Sequence, residues 1–362
     1  MARAAVLRTY GEPLVVTELR LADPAPDQAR VRIVASGVCH SDLSMADGAL
    51  PFPVPAVLGH EGAGVVEQVG SGVTHVRPGD HVVLNWTPAC RQCWFCTHGE
   101  PHLCERALVD TFSMPYGTDA AGDALVPVMG TGTFATETLA LGRALVPVHP
   151  DMPLDVAALV GCAVTTGFGS AVYTAGVQPG ESVVVIGCGG VGLSAVLGSV
   201  YAGAERVIAV DPVAPRRELA ARLGATDLLD PAAGDVAAAV GGLTGGRGAD
   251  RVLEVVGRSE TIQTAWQCAR RGGTVAVVGA GRYDDPVSFP AFDLFFSAKT
   301  LVGSQYGSCD PDRDFPLLLG LWQDGTLDLD SLIGARVPLE GINQALDDLR
   351  SGTGLRTVIV ND

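Results

Sequence analysis

The sequence predicts an α/β protein in which a mostly-β domain is followed by a doubly wound parallel sheet. Two observations support this. Short apolar runs at residues 14–19, 29–35, 62–69 and 80–84 are separated by Gly, Pro and Asp, which is typical of strands and turns. From residue 181 onward, β-branched runs at 181–186, 206–210, 251–256 and 274–278 alternate with helical patterns. Such alternation predicts βαβ units and buried parallel strands.

Length and composition exclude several classes of protein. The 362 residues suffice for two domains, and 47% hydrophobic with 18% charged residues is a globular composition. The 24 basic and 40 acidic residues give a net charge of −16, which opposes a phosphate-backbone interface, so we expect no nucleic-acid partner. No signal peptide or membrane span is recognisable. We therefore expect a cytoplasmic protein without a membrane partner.

A compact cysteine motif predicts a metal site. Cys90, Cys93, Cys96 and Cys104 lie within fifteen residues, and this spacing lets four thiolates converge on one tetrahedral zinc ion. Two disulfides are the alternative, but CxxC thiols bridge only in special geometries, and a reducing compartment favours metal. Four protein ligands leave no position open for substrate, so this zinc is predicted to be structural.

A glycine-rich loop predicts a dinucleotide site. The loop follows a strand, opens a helix and contains Gly187, Gly189, Gly190 and Gly192. Asp211 ends the next strand, nineteen residues beyond Gly192, where its carboxylate can accept hydrogen bonds from ribose hydroxyls and repel a 2′-phosphate. This context favours a cofactor site over a glycine-rich turn without a ligand, and NAD over NADP. The nearby Arg216 and Arg217 temper the preference for NAD.

The whole chain resembles the zinc-dependent alcohol dehydrogenases of the medium-chain dehydrogenase/reductase superfamily. The motifs that carry the resemblance occur in family order: 37–42 (GVCHSD), 59–61 (GHE), the four-cysteine motif, 161–167 (GCAVTTG), the glycine loop with Asp211, and 355–357 (LRT). The resemblance implies a GroES-like catalytic domain at residues 1–163 and 305–362, and a Rossmann NAD-binding domain at 164–304.

The resemblance also implies a second, catalytic zinc ion. Its protein ligands would be Cys39, His60 and Cys162, leaving a fourth position for water or substrate. Asp42 would orient His60. Glu61 would approach the metal transiently during ligand exchange, or else pair with a nearby cation.

A proton relay is implied next to these ligands. Ser41 would accept the proton of the alcohol and pass it through the ribose hydroxyls of the cofactor. One familiar form of the family ends this relay with a histidine at the position of Ser44, so water or His40 would complete the path here. His40 is also expected to contact the cofactor pyrophosphate.

Further cofactor and substrate contacts follow from the same resemblance. Thr166 and Val191 would contact the nicotinamide, and Arg356 the pyrophosphate. The expected substrate pocket is apolar and consists of Leu50, Trp86, Val128 and Met129. For any one of these four, ordinary core packing is an equally good explanation.

The predicted activity is the interconversion of a primary alkyl or aromatic alcohol and its aldehyde, by hydride transfer to or from NAD. One alternative is a formaldehyde dehydrogenase acting on a mycothiol-type thiol adduct, which residues 303–316 and 83–86 also resemble. A remote alternative is an NAD- and zinc-binding sensor without catalysis. The resemblance further implies a homodimer or homotetramer, with residues 291–302 as a dimer seam.

Overall fold

The computed structural model describes residues 2–352 and 354–361, which divide into two compact units. The first unit contains the chain up to Cys162, together with Asp310–Gln323 and the segment from Ile333 onward; the second contains Ala163–Cys309 and Asp324–Leu332. The second unit thus extends past the predicted boundary at residue 304. Side-chain hydrogen bonds explain part of the difference, because the Thr174 hydroxyl lies 2.8 Å from the hydroxyls of both Ser304 and Ser308.

The strands are short, and four of the six in the second unit overlap the predicted β-branched runs. In chain order they are β1 (Ala2–Leu7), β2 (Val15–Leu21), β3 (Gln28–Gly37), β4 (Ala56–Val57), β5 (Glu61–Val69), β6 (His81–Leu84), β7 (Gly117–Asp119), β8 (Ala124–Pro127), β9 (Glu137–Leu141), β10 (Leu145–Val148), β11 (Ser182–Ile186), β12 (Arg206–Val210), β13 (Asp227–Leu229), β14 (Ala249–Glu254), β15 (Ala269–Val277), β16 (Thr300–Gly303), β17 (Ile333–Val337) and β18 (Arg356–Val360).

The α-helices connect these strands or cover the sheets. They are α1 (His40–Ala46), α2 (Trp94–Thr97), α3 (Ala107–Phe112), α4 (Leu154–Val160), α5 (Ala163–Gly169), α6 (Gly190–Tyr201), α7 (Ala214–Arg222), α8 (Val236–Leu243), α9 (Ser259–Cys268), α10 (Ala291–Ser297), α11 (Pro311–Gln323) and α12 (Ile342–Ser351). Helix α9 ends at Cys268, because the chain enters β15 at Ala269.

The first unit is built from two β structures. Strands β1, β2, β7, β8 and β4 form a closed barrel, and a second sheet has the order β10-β6-β5-β3-β18-β17, with β9 also paired to β3. The last strand belongs to this unit, as the predicted catalytic domain of residues 1–163 and 305–362 implies, since β18 pairs antiparallel with β3 and places Val358 opposite Gly37. This pairing brings β18 beside Gly37, two residues before Cys39.

The second unit is a six-stranded sheet in the order β13-β12-β11-β14-β15-β16, with every neighbouring pair parallel. Strand β11 is almost entirely buried, as expected for a central strand covered on both faces. The strand order reverses between β11 and β14, because the chain runs outward through β12 and β13 before it returns to β14. The doubly wound parallel sheet predicted from the sequence is therefore present.

Among the described residues, no single helix is long and apolar enough to cross a membrane; only the bent pair Leu154–Val160 and Ala163–Thr174 passes a test of length and composition when taken together.

Candidate functional site

The four cysteines of the predicted structural site converge in the loop from Cys90 to Cys104, here called the cysteine lobe. Their sulfur atoms all lie within 4.8 Å of one another, with 4.0 Å between Cys90 and Cys96 and 3.9 Å between Cys93 and Cys104. A tetrahedral ion with Zn–S bonds of about 2.3 Å requires sulfur separations of about 3.8 Å, so the lobe fits zinc. All four are free thiols, which disfavours the disulfide alternative.

Backbone amides stabilise thiolate character in the cysteine lobe. The N–H groups of Gln92 and Cys93 donate to the Cys90 sulfur, at 3.4 and 3.3 Å. Burial raises the pKa of the Cys90 thiol, but these donors outweigh it and lower the pKa to about 6. Ion pairs connect the lobe to the start of α11, because Arg91 binds Asp310 and Asp312.

A second group of potential ligands lies at the end of β3 and the start of β5. Cys39, His60, Glu61 and Cys162 are all buried, and their ligand atoms lie within 4.8 Å of one another; we call them the buried cluster. Cys39 caps α1, His60 precedes β5 and Cys162 follows α4. The structure thus brings the three predicted ligands together, and two thiols with one imidazole form a donor set suited to catalytic zinc.

Asp42 fixes the orientation of His60. Its fully buried carboxylate lies 3.0 Å from His60 Nδ1 and accepts the backbone N–H groups of Cys39 and Gly59, each at 3.1 Å. Burial lowers the pKa of His60, but the charge of Asp42 and its hydrogen bond raise it to about 10. An Nδ1–H held by Asp42 leaves Nε2 as the nitrogen available to a metal.

Glu61 pairs with Arg356. Both side chains are buried, and an Arg356 guanidinium N–H donates to Glu61 Oε1. Of the two roles expected for Glu61, this contact corresponds to pairing with a cation. Arg356 was predicted to contact the pyrophosphate, but in the structure its guanidinium group binds Glu61. The pKa of Cys39 is also lowered. A hydrogen bond with Cys162 is the main cause, and the positive charge of Arg356 lowers the pKa further.

Gly37 was not identified as a site residue from the sequence. A Cβ atom at this position would lie 2.0 Å from Glu61 Oε2, so only glycine leaves room for the Glu61 carboxylate. The available sequence signal was its position two residues before Cys39, inside the motif that carries the family resemblance.

The residues predicted to line the substrate pocket are all in the first unit. Trp86 packs edge-on against His60, with 6.3 Å between ring centroids. Val128 is fully buried, whereas Leu50 and Met129 are partly buried against the same apolar cluster. Met129 has a φ of 49°, an uncommon conformation for a non-glycine residue that is often found at functional sites.

An aromatic pair beside these residues was missed. The rings of Phe52 and Phe112 lie 5.1 Å apart, and Phe52, like Leu50 and Met129, packs against the apolar cluster that includes Val128. Phe52 is two residues beyond Leu50, but its partner is sixty residues further along the chain. Sequence spacing alone gives no sign of this contact.

The glycine loop of the second unit has the local geometry that its motif predicts. Gly187 has a φ of 94°, which few other residues tolerate. A Cβ at Gly192 would lie 1.7 Å from the carbonyl oxygen of Gly187, so this glycine permits close packing of helix and strand, whereas Gly189 faces open space at the start of α6. The loop therefore leaves room for a phosphate to approach the backbone at the helix N-terminus.

Asp211 lies beside this loop at the end of β12. One carboxylate oxygen accepts the N–H of Cys188 and the other accepts the N–H of Val213, both at 2.8 Å. Arg217 donates to the Asp211 backbone carbonyl and lies 3.2 Å from the carboxylate of Asp230. Asp211 is thus held where it can meet a ribose bound next to the loop.

The remaining predicted residues lie on four helices. His40 and Ser41 begin α1 in the first unit, with His40 exposed and Ser41 partly buried. Thr166 lies on α5, and Gly190 and Val191 begin α6 in the second unit. Arg216 is on α7 and is partly buried.

Comparison with known proteins agrees with this geometry. The alcohol dehydrogenase GroES-like domain model matches residues 25–151, and the zinc-binding dehydrogenase model matches residues 190–324. The putative alcohol dehydrogenase D of Mycobacterium tuberculosis is 41% identical, over 99% of both chains. The geraniol dehydrogenase of Castellaniella defragrans is 40% identical, over 99% of this chain and 97% of its own. The benzyl alcohol dehydrogenase structure from Acinetobacter calcoaceticus has a TM-score of 0.93 at 35% identity, covering 100% of this chain and 99% of that one.

Two thiol-containing clusters that fit zinc and a glycine loop at a parallel sheet define a zinc-binding, nucleotide-dependent dehydrogenase. The chain belongs to the zinc-dependent alcohol dehydrogenase family of the medium-chain dehydrogenase/reductase superfamily. It is an NAD-dependent enzyme with a structural and a catalytic zinc ion, and it acts on a small-molecule alcohol or aldehyde. The predicted class, fold and cofactors are confirmed, and the thiol-adduct alternative is not better supported.

Proposed function

We propose that the enzyme oxidises primary alcohols with alkyl or aromatic carbon skeletons, and reduces the corresponding aldehydes, at a zinc ion held by Cys39, His60 and Cys162. The observation that carries this proposal is the convergence of these three ligand atoms in one buried cluster, with His60 oriented by Asp42. When bound by this donor set, zinc supplies Lewis-acid chemistry that acidifies an alcohol or polarises an aldehyde carbonyl.

Residues of the chain hold and move the proton. Ser41 is partly buried on the first turn of α1, two residues from Cys39, and we assign its hydroxyl as the first acceptor of the alcohol proton. His40 is exposed on the same turn, so a proton can leave through it or through water. Ser44, also partly buried on α1, stands where a histidine completes the relay in another form of the family.

The substrate class follows from the apolar side chains of the predicted pocket and the aromatic pair next to it. Trp86 contacts His60, and the partly buried Leu50 and Met129 offer apolar surface, as does the Phe52–Phe112 pair. Apolar lining favours hydrocarbon groups over polyols. The names of two relatives, geraniol dehydrogenase and benzyl alcohol dehydrogenase, support the same class of substrate.

A substrate panel tests this function. The purified, zinc-loaded protein is mixed with NAD and ethanol, hexanol, geraniol, benzyl alcohol or glycerol, and NADH is followed by absorbance at 340 nm. We expect kcat/KM to be highest for the larger apolar alcohols and lowest for glycerol. Parallel reactions contain formaldehyde with and without glutathione or mycothiol. Activity confined to the formaldehyde–thiol mixtures would overturn the proposal in favour of thiol-adduct oxidation.

We also propose that two copies associate through the edge of the second unit. Strand β16 pairs with β15 alone within residues 2–352 and 354–361, and the preceding helix α10 exposes Phe292 and Phe295 by 70% and 79%. An open strand edge beside exposed aromatic rings is suited to pairing with a second chain. Light scattering after gel filtration should give at least a dimer for the parent and a monomer for Phe295→Glu; an unchanged mass for the variant contradicts this seam.

The proposed location is the cytoplasm, where thiols remain reduced. The two clusters depend on thiols at Cys39, Cys162 and the cysteine lobe. Fractionation of cells that produce the protein tests this location, and its recovery outside the cytoplasm would exclude it.

A further inference from the structure

Glu254 is a buried acidic residue at the point where the strand order of the second unit reverses. It is the last residue of β14, level with Ile186 of β11 on one side and Val277 of β15 on the other. Its side chain is fully buried. Burial of a carboxyl group costs free energy unless hydrogen bonds compensate for the lost water.

One oxygen of Glu254 holds the turn that follows β14. Oε1 accepts the backbone N–H groups of Val256 and Gly257, at 2.9 and 2.8 Å, and the Thr261 hydroxyl at 2.7 Å. The other oxygen, Oε2, is buried without a hydrogen-bond partner in the described part of the chain. Burial raises the pKa of this carboxyl group, which favours its neutral form.

The turn held by Glu254 lies between two loops of the carboxyl edge. A Cβ on Gly187 would lie 2.8 Å from the Val256 side chain, so the turn packs against the first glycine of the nucleotide loop. On its other side, a Cβ on Gly257 would lie 2.8 Å from the backbone of Gly279 and Ala280. A displaced turn would therefore disturb both neighbouring loops.

Strand order indicates which half of NAD meets this turn. In sheets of this topology the dinucleotide crosses the carboxyl ends of the strands at the reversal point, which here lies between β11 and β14. Asp211 ends β12 on one side of β11 and is suited to the adenosine ribose, while the loop after β11 is suited to the pyrophosphate. The nicotinamide half consequently extends toward the ends of β14 and β15.

We propose that Glu254 is a positioning residue for the nicotinamide half of NAD, which it serves by holding the Val256–Gly257 turn through Oε1. The inference rests on the assignment of this unit as the NAD-binding unit. It assigns no role to Glu254 in proton or hydride transfer.

Binding measurements on the purified protein test this role. NAD and 5′-AMP are titrated by calorimetry into the parent, Glu254→Ala and Glu254→Gln. AMP lacks the nicotinamide half, so Glu254→Ala should weaken NAD binding roughly tenfold while AMP binding stays within about twofold. Glu254→Gln should bind both ligands like the parent, because its amide oxygen can accept the same hydrogen bonds and its NH₂ group matches a neutral carboxyl.

Two further variants distinguish positioning from a loss of fold. Thr261→Val removes one donor to Oε1 and should weaken NAD binding in the same direction but less, even if Glu254→Ala does not fold. Asp250→Asn alters a hydrogen-bonded carboxylate at the opposite end of β14 and should leave NAD binding unchanged. Equal losses of AMP and NAD binding in the Glu254 or Thr261 variants, or NAD binding like the parent in both Glu254→Ala and Thr261→Val, would overturn the proposal. Failure of the parent itself to bind NAD would instead refute the cofactor assignment.

Discussion

The two cysteine-containing clusters of the first unit offer similar donor atoms but are assembled differently. The cysteine lobe takes its four thiols from one loop of fifteen residues and stabilises them with backbone amides of that loop. The buried cluster takes its side chains from three distant segments, and Asp42 and Arg356 support it by binding His60 and Glu61. A local loop is sufficient to hold a structural ion, whereas a reactive ion needs donors that the whole unit orients and encloses.

Removal of a ligand from the buried cluster should have the largest effect. Cys162→Ala leaves only Cys39 and His60 of the proposed donor set. Because bound zinc contributes several kcal/mol to the reaction, kcat/KM should fall on the order of 1,000-fold or more. Metal analysis should show loss of one zinc ion per chain, while calorimetry shows unchanged NAD binding. A variant with full activity and two zinc ions would contradict the ligand assignment.

Removal of the carboxylate that orients the His60 ligand should lower activity less than removal of a ligand itself. Asp42→Ala removes the carboxylate that holds His60 and accepts two backbone N–H groups. We expect zinc affinity and kcat/KM to fall by about 10- to 100-fold, the range found when such partners of metal-bound histidines are lost. Asp42→Asn is the matched control, since it keeps the size and part of the hydrogen bonding. Activity of Asp42→Ala equal to that of the parent would show that the His60 contact has no catalytic value.

Removal of a ligand from the cysteine lobe should lower the thermal stability of the protein rather than its turnover. Cys93→Ala breaks its donor set, and the thermal midpoint should fall by at least about 5 °C, as expected for loss of a structural metal site. Below the transition, kcat/KM per folded molecule should change less than about threefold, by analogy with removal of a distant structural contact. If the variant kept its midpoint and zinc content but lost activity, the division between structural and reactive ion would be wrong.

The difference between a site formed by one segment and a site formed by distant segments explains which features the sequence predicted. The cysteine lobe and the loop from Gly187 to Gly192 were predictable, because each is contained in one continuous segment whose spacing reflects its geometry. The Glu61–Arg356 pair joins residues 295 positions apart, and it exists only because β18 pairs with β3 in a particular register. No spacing rule anticipates such a contact, nor the space that Gly37 leaves for Glu61.

The boundary of the second unit also depends on long-range contacts that the sequence does not predict. The sequence predicted the parallel strands from their β-branched runs, and β12 has the predicted bounds. Residues 305–309 gave no comparable pattern, and their place depends on hydroxyl contacts of Thr174 with Ser304 and Ser308, about 130 positions away. Periodicity thus locates elements, while long-range polar contacts decide which unit a connecting segment joins.

The smallest predicted effects concern two carboxyl groups at opposite ends of β14. Burial raises the pKa of Asp250, but hydrogen bonds from Ser182 and the charge of Arg270 outweigh it and lower the pKa to about 2. Its stabilising contribution is present above the unfolded pKa near 3.9 and is lost as the pH falls toward 2. Glu254 shows the opposite shift, because burial raises its pKa above the ordinary value of 4.5. Its contribution is present below pH 4.5 and is lost as the pH rises through the raised pKa.

Unfolding of the parent, Asp250→Asn and Glu254→Gln between pH 2.5 and 7.5 tests this difference. Relative to the parent, Asp250→Asn should lose about 1–2 kcal/mol at neutral pH, and the difference should shrink below pH 4. Glu254→Gln should be at least as stable as the parent at pH 7 and lose that advantage below pH 4.5. Because each variant is compared with the parent at the same pH, protonation of the zinc ligands cancels. Parallel pH profiles for all three proteins would mean that neither carboxyl group titrates differently in the folded and unfolded chains.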